Sequence, residues 1–227
     1  MMDSLHDDAD NPISSRGLSL KILAVLSNKG GSGKTTVSLS LAVAAVEAGL
    51  SVAVVDLDPQ SNSADWGDSR EADAPAVVSA QAARLTPVLD AARSNGVDLA
   101  VLDTAPRSEE AALKAARASN YALLIARPSI HDLRALRYSK DVLDLAKAPG
   151  SVLLNGVPHQ GSHGDEAEAA LRGWGLDVAP VRMSQRAAHY NAASGGMTAV
   201  DYEPRSRAAE ECREVLQWVM GRAEMKS

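Results

Sequence analysis

The sequence predicts an α/β domain, a doubly wound and mainly parallel sheet flanked by helices. Three observations point there. Short runs that are apolar on both faces alternate with helical patterns along most of the chain. A glycine-rich turn joins the first of these runs to a helix, as in a βαβ unit. The chain has no Phe and only 3% aromatic residues, so its core must be packed from Ala, Val and Leu, which suits helices lying close on a sheet. Its 227 residues fit one such domain.

Residues 1–17 read as a disordered acidic leader, with Asp3, Asp7, Asp8 and Asp10 and little to bury. A single domain is expected over 18–227. Residues 20–26 form the first apolar run. An Ala/Leu/Val helix follows over 37–48, closed by Gly49. Residues 51–56 read as a second buried parallel strand. Residues 68–75 are a polar surface break. Strands are then expected over 97–102, 121–126 and 151–155, with helices over 109–118, 133–146 and 166–174. Residues 178–182 read as the last strand. Residues 206–222 read as a closing amphipathic helix, with Ala209, Cys212, Val215, Leu216 and Val219 on one face.

Bulk properties exclude several classes. Cys212 is the only cysteine, so one chain can form neither a disulfide nor a thiolate-only metal site. No stretch approaches about 20 unbroken apolar residues, so no transmembrane segment is expected. The start lacks the basic flank and apolar run of a signal peptide, and a cytoplasmic location is expected. The net charge is −6, from 23 Lys and Arg against 29 Asp and Glu. Any nucleic-acid contact must therefore come from a local patch.

The chemistry concentrates at Lys29-Gly30-Gly31-Ser32-Gly33-Lys34-Thr35-Thr36, which follows a strand and opens a helix. Glycines let backbone N–H groups curl around phosphate oxygens with no Cβ in the way. The helix N-terminus adds the positive end of its dipole. Lys34 supplies a point charge to the β- and γ-phosphates, and Thr35 offers a hydroxyl to Mg²⁺. ATP and Mg²⁺ are the expected ligands, in a P-loop NTPase fold. The general pattern would place glycine at position 28, where this chain has Asn28, and a second lysine, Lys29, stands beside it.

That second lysine makes the loop resemble the deviant phosphate loop of the ParA/MinD branch of P-loop ATPases. The resemblance covers about residues 20–222. It implies an ATPase that forms a homodimer in its ATP state, with Lys29 reaching across the interface to the partner's nucleotide. Asp56 and Asp58 lie two apart on residues 54–60, so both point the same way along a strand end. Their Val-Asp-Leu-Asp-Pro-Gln context resembles the family segment whose second aspartate orients the attacking water. Asp58 takes that role and counts among the metal residues with Thr35 and Asp103, with Asp56 supporting the loop and the magnesium shell. Asp103 ends a further apolar strand and is expected to hold a magnesium-bound water. Asn155, at another strand end, corresponds to an asparagine that hydrogen-bonds adenine in the family, although an asparagine opening a turn is an equal reading. Pro128 and Asp132 match a family segment beneath the site, where Asp132 reads as a helix N-cap.

Residues 183–202 resemble the C-terminal third of small partition ATPases, some of which contact DNA there through arginines. Arg182, Arg186, Arg205 and Arg207 are the corresponding candidates. The resemblance implies non-specific DNA as matrix, nucleoid association when ATP is bound, and a ParB-like or other cargo-adaptor protein that stimulates hydrolysis. Partition of plasmid or chromosomal DNA is the expected function. The same switch could position a chemotaxis cluster or a carboxysome-like body. A MinD-like membrane ATPase is a third reading, because residues 213–227 carry Val215, Leu216, Trp218, Val219 and Met220, though with nearly balanced charges. An iron–sulfur reductase would need paired cysteines. An ATP-dependent carboxylase or amidoligase stands as a fourth reading.

Overall fold

The computed structural model describes residues 19–193 and 195–224, and the leader expected over 1–17 lies outside them. Seven strands form one all-parallel sheet: β1 (Lys21–Leu26), β2 (Val52–Asp56), β3 (Ala76–Ser79), β4 (Leu99–Asp103), β5 (Tyr121–Ala126), β6 (Gly150–Val157) and β7 (Met183–Ser184). Their order is β3-β2-β4-β1-β5-β6-β7, which puts β1 at the centre. Alternation along each strand divides the core between two faces. Leu23 and Val25 of β1 pack with Tyr121, Leu123 and Ile125 of β5 on one face. Ile22, Ala24 and Leu26 pack with Ala122, Leu124 and Ala126 on the other.

The first face is covered by α1 (Lys34–Glu47) and α9 (Arg207–Glu224), joined by Trp66 of α2 (Asn62–Ser69) and Val200 of α8 (Ala199–Tyr202). The second is covered by α3 (Leu85–Ser94), α4 (Glu109–Ala118), α5 (Ile130–Ala146) and α6 (His163–Gly173). The short α7 (Ala187–Ala193) lies ahead of α8. Cys212, Val215, Leu216, Val219 and Met220 of α9 are all buried in the first face, so the apolar side of this helix is consumed by the core. No helix among the described residues is long and apolar enough to cross a membrane.

Two expectations are corrected. The last strand is not 178–182, because Pro180 has no N–H to give a ladder. Val178 makes only an isolated bridge to Val152, and pairing resumes at Met183–Ser184, past an irregularity at Asn155 and Val157 of β6. Asp132 is not the cap of α5. Ser129 takes that place, its hydroxyl accepting the Asp132 amide, and the helix starts at Ile130.

Candidate nucleotide-binding site

The phosphate loop leaves the C-terminal end of β1, the central strand, where β4 pairs on one side and β5 on the other. Chains diverge at this point, and the crevice there is where open α/β sheets bind ligands. Gly31 and Gly33 have φ of +74° and +92°, which the turn into α1 requires. Gly33 is required a second time. A Cβ there would lie 2.1 Å from Asn155 Nδ2, which comes up from β6 to donate to the Ser32 carbonyl at 2.8 Å. Asn155 is thus a brace under the loop, and it leaves its amide oxygen as the atom with which it could receive a base amine.

The two loop lysines differ sharply. Lys34, the first residue of α1, is 6% exposed, and burial lowers its pKa against the opposing pull of Asp103 and Asp58. The Lys29 side chain is 43% exposed, and its ammonium sits 2.7 Å from Asp132 at the start of α5. Burial works to raise Asp132, but hydrogen bonds from Lys29 and Ser129 outweigh it and hold that carboxyl below its ordinary value.

Behind the loop, Asp56 and Asp103 end adjacent strands in register. Asp103 accepts from Thr35 Oγ1 at 2.8 Å, Ser63 Oγ at 2.8 Å and Ser38 Oγ at 3.1 Å. Burial raises its pKa, and these hydroxyls offset part of the rise. Thr35 spends its proton on Asp103, so its oxygen lone pairs are left for a cation. Asp56 accepts the amides of Asp58, Ser63 and Ala64 at 2.9, 2.9 and 3.2 Å. It shapes the turn that presents Asp58 and brings α2 to Asp103. Asp58 is half-buried, and its Oδ1 accepts the Gln60 amide at 3.0 Å. It opens on a cleft of 750 Å³ bounded by Ser79, Gln81, Pro106 and Ser108.

The residues fit a magnesium nucleotide. The loop amides, Lys34 and the dipole end of α1 suit phosphate oxygens. Ser32 Oγ is buried with no hydrogen-bond partner among the described residues, which a phosphate oxygen would supply. Thr35 would hold the metal directly, with Asp103 behind it.

Ser38 and Ser63 escaped the sequence reading. Ser38 lies one turn after Thr35 on α1, a spacing that shares a face. Ser63 gives no signal, because its partner is 40 residues away.

The arginines do not form an open basic patch. Arg182 pairs with Asp165 at 2.7 Å and Glu168 at 2.5 Å, and Arg186 with buried Glu211 at 2.7 Å. Arg207 pairs with Glu214 at 2.7 Å and Glu210 at 3.2 Å. Of the four, Arg205 alone is exposed without an ion pair among the described residues. The sequence reading counted these arginines without the acids that α6 and α9 turn toward them.

Residues 23–199 match the family model described as the CobQ/CobB/MinD/ParA nucleotide binding domain. A maintenance of carboxysome distribution protein A from Gloeobacter kilaueensis is 30% identical over 196 residues, covering 84% of this chain and 89% of that protein. Among solved structures, a McdA variant from Cyanothece in complex with ATP superimposes with a TM-score of 0.74 at 17% identity, over 90% of this chain and 98% of that one. The septum site-determining protein MinD of Pyrococcus horikoshii, complexed with Mg-ADP, gives 0.71 at 22% identity, over 92% and 99%.

Proposed function

The chain belongs to the CobQ/CobB/MinD/ParA nucleotide-binding family, and from that premise we propose that it is an ATP-hydrolysing, dimerising switch that positions a protein body as cargo. The observation that carries the switch is the contrast between its loop lysines. Lys34 is buried beneath the phosphate loop, whereas the Lys29 side chain is 43% exposed and, among the described residues, paired with Asp132, open to a second subunit. The cargo is read from the Gloeobacter relative, whose name assigns it carboxysome distribution. That relative favours a protein body over the plasmid or chromosome expected from the sequence.

Phosphoryl transfer asks for positioning and charge neutralisation. Lys34 and the loop amides hold the phosphates. Thr35, its proton directed to Asp103, presents a lone pair to the metal. Magnesium, when bound, neutralises charge on the β- and γ-phosphate oxygens. Asp58 orients the attacking water, held in place by Asp56 through the turn. Lys29 of a second copy adds the positive charge that no arginine of this loop supplies. Asn155 faces the base with its amide oxygen.

Non-specific DNA is the proposed matrix, with Arg205 before α9, exposed and without an ion pair among the described residues, as the candidate contact. The membrane reading is disfavoured because the core takes up the apolar face of α9. The test is sedimentation with duplex DNA and with anionic liposomes, each with ATP, ADP or no nucleotide, beside light scattering of wild type, Lys29→Ala and Lys34→Ala. ATP-dependent dimers on DNA are expected, with Lys34→Ala unable to bind ATP and Lys29→Ala binding ATP as a monomer. Nucleotide-independent DNA binding, or normal dimers of Lys29→Ala, would overturn the switch.

A further inference from the structure

The segment that follows Asp103 runs beside the phosphate loop. Asp103 lies in register with Val25 of β1, and the Thr104 hydroxyl donates to the Val25 carbonyl at 2.9 Å. This ties the segment to the strand that opens the phosphate loop. Ala105, Pro106 and Ser108 then border the cleft that holds Asp58. Arg107, among them, borders a small cavity with Ser27 and Asn28, where the phosphate loop begins. Residues 105–108 are thus a wall, with Asp58 on one side and the first residues of the phosphate loop on the other.

Two features set Arg107 apart. Its φ is +58°, a left-handed conformation that a residue with a Cβ rarely adopts. Lys147 also has a positive φ, but it closes α5, where that conformation ends a helix. Arg107 closes no helix and comes one residue ahead of Ser108, the N-cap of α4. Glycine would make this turn without strain. The chain carries a long cation there instead, and strain of this kind gathers at functional sites. The second feature is charge. Arg107 is exposed and makes no ion pair among the described residues, although Glu109 and Glu110 follow it. Glu110 pairs with Lys114 at 2.7 Å. Arg182, Arg186 and Arg207, by contrast, are held by acids.

We propose that Arg107 donates to the γ-phosphate oxygens of ATP as phosphoryl transfer proceeds, supplying the arginine of this site. The water held by Asp58 bonds to phosphorus. The bond from phosphorus to the β–γ bridging oxygen breaks, its electron pair goes to ADP, and both water hydrogens leave with the phosphate. Charge is redistributed over these oxygens in that step, and a guanidinium already in place offsets it without reorganising. Lys34 serves the bound nucleotide, whereas Arg107 serves the change in charge. The inference deepens the ATPase reading and rests on it.

The test compares full-length wild type with Arg107→Gln, Arg107→Lys and Arg107→Gly. Each is titrated calorimetrically with Mg-ADP alone and with Mg-ADP plus aluminium fluoride, which mimics the phosphoryl group in transfer. Affinity for Mg-ADP alone is expected to stay within about twofold of wild type in every variant. With aluminium fluoride it falls at least about tenfold in Arg107→Gln and Arg107→Gly, and Arg107→Lys recovers part of the loss. Single-turnover hydrolysis slows in parallel, by about a hundredfold. Without nucleotide, Arg107→Gly melts no lower than wild type, because glycine relieves the left-handed turn. Unchanged affinity with aluminium fluoride in Arg107→Gln overturns the proposal. So does an equal fall for Mg-ADP alone, which would mark a contact made before the transfer. A wild type that binds no Mg-ADP would instead sink the nucleotide site, and this inference with it.

Discussion

Asp103 accepts three hydroxyl hydrogen bonds, yet burial still lifts its pKa above the ordinary 3.8. A raised folded-state pKa means the ionised form costs stability at neutral pH, and stability is gained as pH falls through that value toward 3.8. Asp103→Asn removes the buried charge at nearly constant volume. The nucleotide-free variant should melt higher, by about 2–4 °C for each kcal/mol recovered, while its affinity for Mg-ATP falls by at least about tenfold. Calorimetry beside nucleotide titration checks this, and a variant that melts lower would mean the three hydroxyl bonds outweigh the buried charge. Asn155→Ala strips the donor from the Ser32 carbonyl at a cost of about 1–3 kcal/mol, read as weaker ATP binding. At this scale the phosphate loop was legible, because the chemistry demands glycine, lysine and threonine at fixed spacing. The brace by Asn155, the Ser63 hydroxyl and the acids that neutralise Arg182, Arg186 and Arg207 were not. Their partners lie far along the chain, and only the tertiary fold brings them together.

Helix α5 ties one lysine to the fold. Ser129 caps it, Asp132 closes its first turn, and Lys29 reaches across from the phosphate loop to Asp132. The lowered pKa of Asp132 means that this contact contributes stability above the ordinary 3.8 and loses it only as pH falls through the depressed folded value. It is therefore fully formed at neutral pH. A lysine held within its own chain must be released before it can serve a partner. Asp132→Asn should accordingly lower the ATP concentration that gives half-maximal dimerisation, and adding Lys29→Ala should abolish the gain. Light scattering against ATP concentration decides it, and an unchanged midpoint in Asp132→Asn would show that the contact does not restrain the lysine. Ser129→Ala tests the cap separately, at about 1 kcal/mol of stability. Elements were legible where both faces of a strand are buried, as in β1, β2, β4, β5 and β6. Edge strand β3 is largely exposed, α2 holds a glycine and few apolar residues, and β7 follows a proline, so none presents the pattern that identified the others.

Across the whole molecule, the nucleotide site joins parts that the sheet otherwise keeps apart. Asn155 belongs to β6 on one side of β1, Asp103 and Asp56 to β4 and β2 on the other, and Lys34 and Ser63 to two helices. A ligand there braces both halves of the sheet, so binding should appear as global stability. At a hundred times its dissociation constant, a ligand specific for the folded state adds about 2.7 kcal/mol. For a domain of this size that is a rise of roughly 5–11 °C in melting temperature. Dimerisation adds a second signature, because a melting temperature linked to assembly rises with protein concentration. The two lysines separate these effects. Wild type with Mg-ATP should melt higher and depend on protein concentration. Lys29→Ala should keep the rise without that dependence, and Lys34→Ala should lose both. If Lys29→Ala retained the concentration dependence, the dimer would not need its exposed lysine. A rise surviving in Lys34→Ala would remove the nucleotide from the loop altogether.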